Sequence, residues 1–94
     1  MTRQTIDVLG YLLDQPHSSG ADVSRACCIA SGTLYPLLLR LEQAGWLESE
    51  WETADPRLLG RPRRRFYRVT LEGARSAREF AISLSPTLTR LALS

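Results

Sequence analysis

The hydrophobic period of this chain changes at Gly45. Before it, Leu34, Leu37, Leu38, Leu41 and Ala44 recur at the i, i+3, i+4, i+7 spacing of a helix face turned to a core. After it, Leu47, Ser49 and Trp51 alternate with Trp46, Glu48, Glu50 and Glu52, the period of a strand. A second alternation answers it, with Tyr67 and Val69 on one face and Phe66 and Arg68 on the other. The intervening "TADPRLLGRP" is turn-rich and reads as too short for another element. A helix followed by an antiparallel hairpin is therefore the centre of the fold.

Further helices flank that unit. Ile6, Leu9, Leu12 and Leu13 share a face in a first helix, which "DQPHSSG" ends with turn residues. Ser19 and Asp22 stand at capping-box spacing and start a short second helix, followed by the turn "CIA". Ser31 or Thr33 caps the third, and Gly45 closes it at C′. A start near Thr33 keeps Pro36 inside the first turn, where its missing N–H is tolerated. Tyr35, Arg40 and Gln43 then face outward, and Leu39 is an outward leucine that the pattern leaves unexplained. Thr70 caps a last helix in which Ala74, Ala77, Ala81, Leu84, Leu88 and Leu91 form an a/d seam. Pro86 lies off that seam and implies a kink. Packing on its own domain is one use of the seam. The favoured use is a dimer, because a chain this short buries only about 60–65% of its unfolded surface alone.

Charge adds a direction. The net charge is only +2, and all 12 basic residues are arginine. Six of these fall between Arg57 and Arg68 without an acid, and the remaining six face all 10 Asp and Glu residues. The hairpin tip is thus +6 and the rest of the chain −4. A solvated loop is the plain reading of such a run, with Glu48, Glu50 and Glu52 offsetting part of it across the hairpin. A nucleic-acid contact is the sharper one.

Little points to catalysis. The single histidine, His17, lies in a loop-like stretch and has no nucleophile-and-base set around it, and the six glycines are spread singly. Cys27 and Cys28 are adjacent, so they staple nothing; they read as plain thiols, with a thiol switch as the sharper alternative. No zinc-type spacing, signal peptide or membrane-length apolar run is evident, and a cytoplasmic protein without cofactor or metal is expected.

Helix, helix, turn, helix and hairpin is the order of a winged helix-turn-helix. The third helix suits the major groove, and a basic hairpin suits phosphates or the minor groove. The strings carrying these elements resemble the PadR-like transcriptional regulators. "SGTLYPLLLRLEQAGWLES" contains Gly32-Thr33-Leu34-Tyr35-Pro36, Arg40-Leu41-Glu42 and Gly45, and "GRPRRRFYRVTLEG" is similar to the family's second string. The resemblance spans about Ile6 to Gly73. Where the family usually has a tyrosine after the glycine of the second helix, this chain has Ala21.

The resemblance implies DNA-facing roles for Ser31, Thr33, Tyr35 and Arg40, and a wing built on Gly60, Arg61, Pro62 and Arg63. Tyr67, Val69, Thr70 and Gly73 would join the wing to the last helix. It also implies dimerisation through the C-terminal region, and effector sensing near the dimer interface, where the last helix offers only Phe80 as an aromatic.

The expected architecture is a mostly helical α+β winged helix-turn-helix of three helices and a two-stranded wing. Residues 1–70 would form the DNA-binding domain and residues 71–94 a C-terminal dimerisation helix. The expected function is a homodimeric repressor on a pseudo-palindromic double-stranded DNA operator. Ser31, Thr33, Tyr35, Arg40, Arg61, Arg63, Arg64 and Arg65 would contact DNA. Ala77, Ala81, Leu84, Leu88 and Leu91 would form the dimer seam. The small-molecule effector is left open. The alternative is a winged-helix module for protein partners, with Leu39 in the contact; an arginine-rich RNA-binding role is weaker, since no platform of stacking aromatics is apparent.

Overall fold

A computed structural model describes residues 2–84. Helix α1 (Arg3–Asp14) is followed by a two-residue strand β1 (Ser18–Ser19), α2 (Gly20–Cys27) and α3 (Ser31–Gln43). Strand β2 (Leu47–Trp51), a one-turn helix α4 (Pro56–Leu59), strand β3 (Arg65–Val69) and α5 (Leu71–Leu84) complete the order. The sheet runs β1-β3-β2 with both pairings antiparallel, so the hairpin gains a short third strand that the sequence pattern did not contain. The chain is an α+β winged helix-turn-helix.

The core is one cluster. Val8, Leu9 and Leu12 of α1, Val23 of α2, Leu34 and Leu38 of α3 and Leu47 of β2 are fully enclosed. Burying such side chains stabilises by roughly 1.5–3 kcal/mol each, an upper estimate against an extended chain. On α1 the face that packs is Thr5, Val8, Leu9 and Leu12; Ile6 is half-buried and Leu13 exposed, so the helix is rotated from the expected stripe. Leu34, Leu37, Leu38 and Leu41 of α3 pack as expected, whereas Ala44 is exposed at the C-cap, where the chain already leaves the helix.

Local chemistry sets the ends of the helices. Ser19 caps α2 reciprocally: its hydroxyl accepts from Asp22 N–H at 3.2 Å, and its own N–H donates to the Asp22 carboxylate at 3.1 Å. Cys28 takes the left-handed C-cap of α2 at φ 56°, and the Ser24 hydroxyl donates to Ile29 O. Helix α3 starts at Ser31, earlier than Thr33, because Ala30 O accepts from the N–H groups of Thr33 and Leu34. Pro36 therefore sits inside the helix and leaves the Gly32 carbonyl without its usual donor, on an exposed face. At the other end Gly45 (φ 81°) donates to Glu42 O and Trp46 to Leu41 O, a Schellman closure that turns the chain into β2.

The segment 53–62 is more ordered than expected. Asp55 accepts from Arg57 N–H, Pro56 occupies the first helical position, and Gly60 closes the turn at φ 69°. Thr70 caps α5 by accepting from Gly73 N–H, and donates to Gly45 O. Helix α5 packs on α1 and β3. Among the described residues no helix is long and apolar enough to cross a membrane.

Candidate nucleic-acid interface

The N-terminal turn of α3 is an open helix end. Ser31, Gly32 and Thr33 are exposed, and no side chain caps the helix. Since a backbone carbonyl starts the helix, neither the Ser31 nor the Thr33 hydroxyl is used in the cap. Unpaired N–H groups and the positive end of the helix dipole therefore point outward together. Tyr35 is 48% exposed and its phenol end lies against Gly20, where an added Cβ would stand 2.8 Å from the ring. Arg40 is exposed one turn further on, and so is Leu39.

The wing divides its arginines into two sets. Cross-strand register places Leu47, Ser49 and Trp51 opposite Val69, Tyr67 and Arg65, and this face runs outward from the core to the tip. Arg65 is braced there. Its Nε donates to Ser49 Oγ at 2.8 Å, its Nη2 stands 3.3 Å from both carboxylate oxygens of Glu42 on α3, and it lies 5.4 Å over the Trp51 ring. Ser49 also donates to Glu42. Arg61 is held by Glu52 through two bonds of 2.7 and 3.1 Å, with the two side chains only 33% and 16% exposed. That hydrogen bonding holds the Glu52 carboxyl below the ordinary range and raises Arg61. Arg68 pairs with Glu48 directly across the strands, with Nε at 2.9 Å, which raises the arginine.

Arg57, Arg63 and Arg64 form no ion pair among the described residues; Arg63 Nε donates to Ala54 O, leaving the guanidinium end free. The sequence placed six positive charges on the wing. Folding neutralises three locally, partly through the expected Glu48 and Glu52 and partly through Glu42, which the sequence pattern does not connect to the wing. The only hint of Glu42 in the sequence is its place in the Arg40-Leu41-Glu42 string.

Elsewhere the chemistry is sparse. His17 (φ 65°) stacks on Phe66 with ring centroids 4.3 Å apart, and its Nδ1 stands 3.3 Å from Glu50; it is exposed but engaged, more than a solvated loop residue. Cys27 and Cys28 are free thiols, and burial pushes Cys27 upward. Among the described residues no three His, Cys, Asp or Glu side chains gather as a metal site. On α5, Ala77 packs against the core of its own domain and Ala81 is exposed. The side chain of Leu84, and Pro86, Leu88 and Leu91, lie outside the described residues.

An open recognition-type helix end beside a wing with unpaired arginines defines the winged helix-turn-helix class of regulators. The profile of the transcriptional regulator PadR-like family matches residues 15–79, and the chain belongs to that family. Its fold is similar to a PadR family transcriptional regulator from Eggerthella lenta, at 29% identity and TM-score 0.74, over 94% of this chain and 77% of that one. It is also similar to the PcaV transcriptional regulator of Streptomyces coelicolor, at 25% identity and TM-score 0.74, over 86% of this chain and 55% of that one. A mutant MepR of S. aureus, bound to an oligodeoxyribonucleotide, shares the fold at 21% identity and TM-score 0.76, over all of this chain and 65% of its own. No curated protein matches the chain at a comparable level.

Proposed function

We propose that this chain is a sequence-specific DNA-binding repressor that acts as a homodimer. The observation that carries the reading is the notch shared by Tyr35 of α3 and Arg63 and Arg64 of the wing, next to the open N-terminus of α3. Ser31, Thr33, Tyr35 and Arg40 face base edges and phosphates in the major groove. Arg63 and Arg64, joined by Arg57, reach the flanking backbone or minor groove. Arg61 and Arg65, which sequence reasoning grouped with them, act from within their ion pairs and hold the wing at its angle. Residues 1–70 form the DNA-binding unit, and residues 71–94 carry the dimer contact through Ala81, Leu84, Leu88 and Leu91, with Ala77 on the inner side. In a two-fold dimer the paired helices meet successive major grooves about 34–36 Å apart. The oligonucleotide held by the S. aureus neighbour supports DNA as the partner.

Sequencing of genomic fragments retained by the protein tests this. A recovered pseudo-palindrome is expected. Retention without any enriched sequence would leave only a non-specific binder, and no retention would favour a protein partner on the exposed Leu39 face. Arg63→Ala should weaken all DNA sequences alike and flatten the salt dependence by about 0.9 for each phosphate it no longer neutralises. A changed base preference at constant salt slope would make Arg63 a base reader.

A further inference from the structure

Leu58 is the most exposed large apolar side chain among the described residues, at 87%. A leucine in water needs no explanation by itself; the frame that holds this one does. It sits on α4, at the tip of the wing, and that single turn is closed at both ends. Asp55 O accepts from the N–H groups of Leu58 and Leu59 at 3.0 and 3.1 Å, and Gly60 N–H donates to Pro56 O at 3.0 Å. Pro56 and the left-handed Gly60 fix the backbone on either side. Below the turn, Glu52 N–H donates to Arg64 O at 2.8 Å, and the Glu52 carboxylate holds both the Arg61 guanidinium and the Arg64 N–H. Arg63 Nε ties the other strand to Ala54 O at 3.0 Å. Turning the α4 backbone to bring Leu58 under the wing would break bonds of this frame, so the tip holds its leucine in water.

Cations flank it. Arg57, the preceding residue, and Arg63, tied to the start of the turn, carry charges that no ion pair among the described residues claims. The one carboxylate of the turn, Asp55, accepts from Arg57 N–H as its cap. An apolar pocket on a protein would take the leucine and desolvate the guanidinium groups beside it, at a cost. The minor groove of a duplex takes both chemistries at once: phosphates line its two rims, and an apolar wedge can part the base pairs at its floor. Arginines alone grip phosphates and carry no sequence information.

We propose that Leu58 is such a wedge. Arg57 and Arg63 hold phosphates on the rims, while the leucine presses between two base pairs, unstacks them and kinks the duplex. The step it opens is a pyrimidine–purine step, because these unstack and kink most easily. The wing therefore selects sequence through deformation, at a position where it makes no hydrogen bond to a base. This rests on the DNA-binding reading and adds to it one residue and one kink in each half-site.

The test uses a duplex taken from the genomic fragments that the protein retains. 2-Aminopurine replaces adenine at each of its pyrimidine–purine steps in turn, and dyes at the two ends report bending by energy transfer. On binding, a several-fold rise in 2-aminopurine emission is expected at one step per half-site, with the ends drawn together by a kink of roughly 20–90°. Leu58→Ser should remove both signals and weaken binding by about tenfold. It should leave the salt slope unchanged, because no phosphate contact is lost, and Leu58→Phe should keep both signals. Since the side chain is exposed, Leu58→Ser should unfold with the same denaturant midpoint as the unaltered chain. Binding with no rise in emission at any step would overturn the wedge and leave the DNA-binding reading standing. So would emission that survives Leu58→Ser, or a lower sedimentation coefficient of that variant without DNA, which would make the leucine a contact between copies. A chain that retains no DNA fails the functional reading, and the wedge falls with it.

Discussion

At Gly73 an added Cβ would stand 2.3 Å from the Trp46 carbonyl oxygen and 2.9 Å from the Val69 side chain. That closeness lets α5 lie over the start of the wing, where Thr70 N–H also donates to Trp46 O at 3.0 Å. Gly73→Ala should therefore destabilise the domain by about 1–3 kcal/mol, since backbone is what must move. Gly10, with nothing within 4 Å of its added Cβ in the middle of α1, makes the comparison. Gly10→Ala should stabilise by roughly 0.5–1 kcal/mol through helix propensity. Denaturant unfolding of both variants checks the pair; equal effects would remove the close approach as the reason for Gly73. The sequence marked Gly73 only through its family string, and nothing in the local pattern separated these two glycines. An approach between Trp46 and Gly73, far apart along the chain, is not a local property.

Elements differ in how far their own chemistry settles them. The α2 capping box was legible because all its partners lie within one turn, and it formed as spaced. Backbone and hydroxyl hydrogen bonds involving Ser19 hold the Asp22 carboxyl below its ordinary value. A carboxyl lowered in the folded state contributes stability that is fully present above its unfolded value. That contribution diminishes as pH falls through the folded one, below about pH 4. Ser19→Ala should cost about 1 kcal/mol at neutral pH, and the difference from the unaltered chain should shrink on acidification through that window. A pH-independent difference would count against the reciprocal cap. The wing was legible as a hairpin from its alternation, but its α4 turn and its attachment to α3 were not. Glu42 and Arg65 are 23 residues apart in sequence and are brought together by the Gly45 turn. Glu42→Gln should leave the fold intact and speed amide hydrogen exchange at the tip of β2 and β3, weakening specific DNA binding more than random DNA binding. Unchanged exchange would make the Glu42–Arg65 pair incidental to wing position.

The whole molecule carries its charge differently from the chain. Three of the six wing arginines face carboxylates once folded, which leaves Arg57, Arg63 and Arg64 without an ion pair among the described residues, and Arg63 and Arg64 line the notch beside Tyr35 of α3. Ala81 is exposed on α5, so a charge there should be harmless to an isolated chain. Ala81→Glu should therefore lower the sedimentation coefficient of a dimer without lowering helix content; an unchanged profile would place the dimer interface elsewhere. The order of the longer helices and the hairpin, the caps at Ser19 and Thr70 and the Gly45 break between helical and strand periods were readable in the chain, because each rests on residues within one or two turns. The rotation of α1 onto Val8, the sorting of arginines into braces and free cations, and the notch between Tyr35 and the wing belong to the folded molecule. Each depends on which side chains meet across more than a dozen residues, and packing geometry decides that where local spacing cannot.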